Sequence, residues 1–164
     1  MNEVAARRVV SSPIGLLSIA ASEKGVCSID FLSPKSKLKD FTQSEKAKNF
    51  VDLACKEIEE YFDNKLKQFS VPTDLRGTNF QLRVWQQIAK IGFGKTLSYG
   101  SIAKAIRNPA ASRAVGGAVG ANPVPIIIPC HRVMGSTGKL TGYSGGNGIS
   151  TKKKLLAIEG IVYK

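Results

Sequence analysis

Apolar and polar positions alternate along the first thirty residues of this chain in short runs. Arg8–Val10, Leu16–Ala20 and Val26–Phe31 are rich in β-formers, and Ser12-Pro13-Ile14-Gly15 and Glu23-Lys24-Gly25 between them are turn-formers. This pattern predicts antiparallel strands joined by tight turns. In the third run Cys27, Ile29 and Phe31 fall on one face and Ser28 and Asp30 on the other. A lysine-rich stretch, Ser33 to Ser44, reads as a solvated loop with at most a short helix. From Glu45 to Phe62 the period changes to that of a helix, with Phe50, Val51, Ala54, Cys55, Ile58, Tyr61 and Phe62 on its apolar stripe. Asp63 to Asp74 then leads out of this first unit, and a boundary is expected near 75–79.

The second half has a different rhythm. Thr78 followed by Gln81 is a capping-box pattern, and Phe80, Val84, Ile88 and Ile91 line one face of the helix it would start. Gly92 and Gly94 end that helix. Tyr99–Ile106 predicts a short helix stopped by Asn108-Pro109, and Ala110–Ala121 a third, so that the pair reads as a helix-turn-helix. The third helix is unusual, because Gly116, Gly117 and Gly120 each cost roughly 1 kcal/mol against alanine in a helix. Either another backbone or a duplex approaches closely there, or the glycines serve tight packing inside the protein. Further on, Arg132–Met134 and Lys139–Tyr143 around Gly135-Ser136-Thr137-Gly138 predict a small hairpin. Ser150 or Thr151 is expected to cap a last helix through Ile158, with Gly160 as its stop.

Between the third helix and the hairpin lies Asn122-Pro123-Val124-Pro125, then Ile126, Ile127 and Ile128, then Pro129-Cys130-His131-Arg132. Three prolines favour an extended, stiff strap that ends on a thiol beside the only histidine of the chain. A neighbouring base raises the reactive thiolate fraction of a cysteine. Successive side chains of an extended segment point to opposite faces, so a proton would pass from Cys130 to His131 through a bridging water or after a local turn.

Charge sharpens this picture. Arg76 to Lys164 holds thirteen lysines and arginines against one carboxylate, Glu159, whereas the first half is neutral, so the whole net charge of +12 lies in the second half. Such a surface favours a polyanionic partner. Glu159 has two readings: it orients His131, completing a nucleophile, base and orienter, or it offsets Lys152 to Lys154 at a helix end. Composition is that of a globular protein, 43% hydrophobic and 22% charged. No run approaches the ~18 to 20 apolar residues of a membrane span, and the start of the chain lacks a secretion pattern, so an intracellular protein is expected. Cysteines at 27, 55 and 130 fit neither a disulfide framework nor a zinc site. Cys27 and Cys55 fall on apolar faces and are expected in the core.

Pro129-Cys130-His131-Arg132-Val133, with Asn122-Pro123 before and Gly142-Tyr143-Ser144-Gly145-Gly146 after, resembles the O6-alkylguanine-DNA alkyltransferases. The resemblance runs from about Phe80 through Glu159-Gly160 and includes Val84-Trp85, Ser98-Tyr99-Gly100 and Arg113-Ala114-Val115-Gly116. The first 75 residues match in their strand-then-helix order. The resemblance implies an α+β protein, with a ribonuclease H-like domain over 1–75 and a mainly helical winged helix-turn-helix domain over 76–164. It implies repair of double-stranded DNA containing O6-alkylguanine, and conceivably O4-alkylthymine, by minor-groove binding, base flipping and a single irreversible alkyl transfer to Cys130. His131 would be the base through water and Glu159 its holder, Asn122 would order the strap, and Tyr99 would assist flipping and donate towards the ring. Arg113 would fill the space the base leaves. Ser98, Ser112, Ala114, Gly116, Arg132 and Lys152 would contact DNA, and Tyr143, Ser144, Gly145 and the backbone around Cys130 and Val133 would line the pocket. No cofactor or metal is expected, since the amino-terminal zinc ligands of some members are missing, and the protein would act as a cytoplasmic monomer, at the nucleoid in a prokaryote. Three other readings compete: a non-catalytic binder of alkylated DNA, a transcription regulator and an ordinary cysteine hydrolase. The first is opposed by Cys130, the second by a recognition helix with few groups to read base edges.

Overall fold

The computed structural model describes residues 3–164, which form two compact units, one ending at Arg76 and one beginning at Gly77. In the first, three antiparallel strands, β1 (Ala6–Ser12), β2 (Gly15–Ser22) and β3 (Gly25–Leu32), follow the expected runs. A fourth, β4 (Phe41–Thr42), pairs with Ala6 and Arg7 and gives the order β3-β2-β1-β4. The lysine-rich stretch is thus more than a loop. Its Asp40 carboxylate also accepts the Val9 N–H at 2.7 Å on the β1 edge, a pairing that composition alone hides because both partners are far apart in sequence.

Helix α1 (Glu45–Phe62) packs on this sheet and is started by the Ser44 side chain, which accepts the Ala47 N–H. Val51, Ala54, Ile58 and Tyr61 are buried against Leu17, Ile19 and Ile29 of the unit's core, and Cys27 and Cys55 are buried too. Burial pushes the Cys55 thiol up to about 11, so it is inert at neutral pH. The buried carboxylate of Glu57 accepts the N–H groups of Ser70 and Val71 and the Ser70 hydroxyl, which pins the outgoing chain.

The second unit begins with α2 (Asn79–Ala89), whose capping box between Thr78 and Gln81 is complete. Then come β5 (Leu97–Ser98), α3 (Tyr99–Ala105) and α4 (Ser112–Gly120). Trp85 of α2, fully buried, donates its indole N–H to the Ala118 carbonyl at 2.8 Å and so ties α2 to α4.

The expected hairpin does not form. Val133–Met134 is a strand, β6, but it pairs parallel with β5, and residues 139–143 are not a strand. Leu140 instead donates to the Lys164 carbonyl at 3.0 Å, and Lys164 donates to Gly138. These partners lie at the end of the chain, where local turn signals cannot point. Helix α5 (Ile149–Ile158) starts two or three residues earlier than expected, behind Gly148 with φ +64°, and Thr151 accepts the Asn147 N–H rather than capping. Gly160, with φ +66°, ends it as expected.

Candidate active site

The strap from Asn122 to Pro129 is not extended. Its apolar residues Val124, Ile126, Ile127 and Ile128 are all buried, which requires the chain to fold on itself, and Ile126 adopts a left-handed φ of +74°. Asn122 closes the loop from both ends: its amide N–H donates to the Ile128 carbonyl at 2.7 Å, and its Oδ1 accepts the Val124 N–H at 3.0 Å. Ile128 donates to Val124 O at 2.9 Å and Cys130 to Ile128 O at 2.8 Å. The prolines therefore stiffen a compact turn, not a strand. Cys130–Arg132 continues as a single 3-10 turn, the local turn that one of the two routes for proton transfer requires.

Behind that turn, His131 Nε2 and Glu159 Oε2 are 2.5 Å apart, both side chains fully enclosed. Glu159 also accepts from Arg132 Nε at 2.8 Å, Arg132 Nη2 at 3.2 Å and the Gly94 N–H at 3.0 Å. Burial alone would raise the carboxyl, but the hydrogen bonds from His131, Arg132 and the Gly94 N–H outweigh it and hold Glu159 down to about 2. An ionised carboxylate only accepts, so His131 Nε2 carries a proton and Nδ1 is the basic nitrogen. Nδ1 is buried with no protein partner. Burial lowers the His131 pKa despite the Glu159 hydrogen bond that raises it, so the ring is neutral and able to accept a proton. Glu159 closes α5, and its carboxylate is turned to His131 and Arg132.

Cys130 is buried, and burial pushes its thiol up; hydrogen bonds from Asn122 and Tyr143 and the nearby Lys152 charge oppose this. At rest the residue is a thiol that needs a base. It lines a cavity of about 380 Å³ together with Tyr99, Gly116, Val119, Gly120, Gly142, Tyr143 and Ser144. Ser144 is fixed by donating its hydroxyl to the Gly120 carbonyl at 3.0 Å.

Both halves of this chain match one family: residues 79–161 match the 6-O-methylguanine DNA methyltransferase DNA binding domain, and residues 6–75 its ribonuclease-like domain. The chain belongs to the 6-O-methylguanine DNA methyltransferase family. The methylated-DNA–protein-cysteine methyltransferase of Methanosarcina acetivorans is 43% identical over 93% of this chain and 96% of its own length. That of Mycolicibacterium paratuberculosis is 42% identical over 93% and 90%. Among solved structures, the Mycobacterium tuberculosis OGT in complex with DNA is 44% identical with a TM-score of 0.80, covering 93% of this chain and 91% of that one. This methyltransferase accordingly repairs DNA by moving an alkyl group to a cysteine of its own, once per molecule.

The glycines of α4 differ in their surroundings. A Cβ on Gly117 or Gly120 would meet nothing within 4 Å, and one on Gly116 would only touch the Tyr99 ring at 4.0 Å. Packing inside the protein therefore does not require glycine at 117 or 120. Arg113 and Ala114 are exposed on this helix, with Ser112 half-buried before them. Ser98 is half-buried and caps α3 by accepting the Ser101 N–H at 3.0 Å.

Two expected DNA contacts are corrected. Arg132 is buried, clasps Glu159 and donates to the Ile91 carbonyl at 2.5 Å. Lys152 is buried as well, and its Nζ donates to the Val133 carbonyl at 2.7 Å and reaches Thr141 Oγ1 at 3.4 Å. Both point inward because α5 and the 3-10 turn pack together, a contact the basic composition around them conceals. The Val133 N–H donates to the Cys130 carbonyl, so each carbonyl of the pair has one internal partner and a second lone pair left. Gly145 is half-buried, accepts the Gly148 N–H at 2.9 Å and does not line the cavity.

Thr141 was not suggested by the sequence, yet its hydroxyl lies 3.0 Å from that of Tyr99. Val119, on the cavity wall, carries no signal in the sequence beyond its place in a helix, and Gly120 beside it stands out there only as one of the costly helix glycines. Among the described residues no group of three or more His, Cys, Asp or Glu side chains could hold a metal ion, and no helix is long and apolar enough to cross a membrane.

Proposed function

We propose that Cys130 is the acceptor of the alkyl group and that the substrate is O6-alkylguanine in duplex DNA, with O4-alkylthymine as a second candidate. The observation that carries this reading is the position of Cys130 on the cavity wall with the buried His131–Glu159 pair directly behind it. A water bridging the Cys130 thiol to His131 Nδ1 takes the thiol proton, and Glu159 stabilises the imidazolium that results. The thiolate then attacks the alkyl carbon, and the bond to guanine O6 breaks. Nothing in this sequence restores the thiol, so the reaction ends with the thioether.

The target base reaches the cavity by leaving the duplex, at a cost of a few kcal/mol in lost stacking and pairing. The exposed Arg113 of α4 fills the gap and adds charge, Ser112, Ala114 and Gly116 follow the minor groove, and Ser98 holds the start of α3 against the backbone. Tyr143 offers the extruded base a face, Ser144 a rim, and Tyr99 a hydroxyl. The protein works as a monomer in the cytoplasm, and at the nucleoid if its cell is prokaryotic. A damage-binding protein without transfer is disfavoured by the thiol itself.

Incubation with a duplex carrying one O6-methylguanine, followed by peptide mass analysis, tests the assignment. One methyl per chain on Cys130, absent from Cys130→Ala, is expected. Tight binding without methyl transfer would make the chain a recognition protein instead.

A further inference from the structure

Four non-glycine residues among those described hold a left-handed φ: Asn64 at +58°, Arg107 at +60°, Ile126 at +74° and Thr137 at +60°. Three of them have a local reason. Asparagine tolerates this region, Ile126 is fixed by burial in the strap, and the Thr137 hydroxyl donates to the Ser136 carbonyl. Arg107 has none of these. It is exposed, and among the described residues its guanidinium has no hydrogen-bond or ion-pair partner.

The backbone accounts for the angle but not for the side chain. Asn108 donates its N–H to the Ala103 carbonyl at 2.9 Å and Arg107 donates to that of Lys104 at 3.0 Å, the paired bonds of a Schellman motif that closes α3. Arg107 is the left-handed residue of that motif, a position that glycine fills without steric cost. Nor does the guanidinium cap the helix. The Ile102, Ala103 and Lys104 carbonyls accept backbone N–H groups, the Ile106 carbonyl accepts from Arg83, and Lys104 already places a cation in the last turn. No acidic side chain of this unit can pair with it either, because Glu159, the single one, is enclosed and bound to His131 and Arg132.

We infer that Arg107 binds a DNA phosphate and anchors the turn between α3 and α4 on the duplex. The inference rests on the helix-turn-helix as the DNA-binding element and adds a contact outside both groove and cavity. When the second helix of such a pair enters a groove, the first crosses the sugar-phosphate backbone. Arg107 stands between the two helices, six positions before the exposed Arg113, and Asn108, Pro109 and Ala110 after it are exposed as well. The whole turn therefore faces solvent. A guanidinium fork matches two phosphate oxygens, and neutralising a phosphate releases the counterion condensed on it. That contact, made only in the complex, offsets a backbone cost that nothing in the free protein offsets.

The test compares full-length wild type, Arg107→Gly, Arg107→Lys and Arg113→Ala in titrations of a labelled undamaged duplex over a range of salt, with Tm measured beside them. Arg107→Gly should raise Tm, since glycine takes the left-handed angle freely. It should nevertheless weaken binding on the order of 5- to 10-fold at about 0.1 M salt and flatten the slope of log K against log salt by about 0.9, the share of one phosphate. Arg107→Lys keeps both the charge and the backbone strain, and should keep most of the affinity and the slope. If Arg107→Gly kept wild-type affinity and slope while Arg113→Ala lost both, the inference would be overturned. A lower Tm for Arg107→Gly would also overturn it, by making the arginine part of the fold, as would an equal loss of affinity in Arg107→Lys, by showing that charge is not what binds. If Arg107→Gly and Arg113→Ala both left the slope unchanged, the helix-turn-helix would lie off the duplex, and the reading on which the inference rests would be what had failed.

Discussion

Glu159 shows how one side chain joins stability to chemistry. Its carboxylate accepts from the buried His131 and Arg132 and from the Gly94 N–H. Glu159→Gln would leave the Arg132 guanidinium buried without its charge partner. Breaking one side of a buried pair costs about 3 to 5 kcal/mol, so a large fall in Tm is expected together with at least tenfold slower transfer, measured by calorimetry and single-turnover kinetics. Acid should act on the same contacts. The unfolded chain protonates His131 near 6.5 and Glu159 near 4.5, whereas in the folded protein burial lowers the first and its hydrogen-bond partners hold the second to about 2. Between the folded and unfolded values the unfolded state binds more protons, so stability rises with pH there. Thermal midpoints should therefore drop as pH falls below 6.5 and again between 4.5 and 2, and His131→Gln should abolish the first step and shrink the second, because His131 is the leading partner that holds Glu159 down. Asn122→Ala, which removes both bonds closing the strap, should cost about 1 to 3 kcal/mol in denaturant titration and displace Cys130 enough to slow transfer.

At the level of elements, α4 is where stability and binding pull in opposite directions. Gly117 and Gly120 have open space where a Cβ would stand. Gly117→Ala and Gly120→Ala should each stabilise the protein by up to about 1 kcal/mol through helix propensity. If a duplex backbone lies against this face, the same changes should weaken DNA binding, an outcome that Tm and titration with labelled duplex would show together. Unchanged affinity would move the DNA surface off α4. The helices of both units were legible from their periodicity, and α2 also from its Thr78–Gln81 capping box, whereas the Ser44 cap of α1 was not singled out. The hairpin expectation failed because Val133 and Met134 find their partners in Leu97 and Ser98, and Leu140 finds its own in Lys164.

For the whole molecule, the division of charge is the dominant feature. Of the net +12, the second unit holds +11, while the first, with its own sheet, helix and core, is nearly neutral at +1. DNA affinity should fall steeply with salt through counterion release, and Arg113→Ala should flatten the slope of log K against log salt by about one. Lys152 and Arg132 contribute formal charge to this total but are enclosed, so Lys152→Ala should leave the slope unchanged while Lys153→Ala or Lys154→Ala, at exposed positions, need not.

What the sequence determined by itself was local and chemical: strand alternation, helix periodicity, caps, the Cys130-His131 pair, the asymmetry of charge and the isolation of Glu159. Each is carried by residues adjacent or one turn apart, where propensity and spacing act without help from the rest of the chain. Only the tertiary structure decided that Asn122 folds the strap into a loop, that Arg132 and Lys152 face inward, and that Thr141 stands between Tyr99 and Lys152. These outcomes depend on burial and on hydrogen bonds between residues remote in sequence, because a buried polar group must find its partner wherever packing brings one within reach.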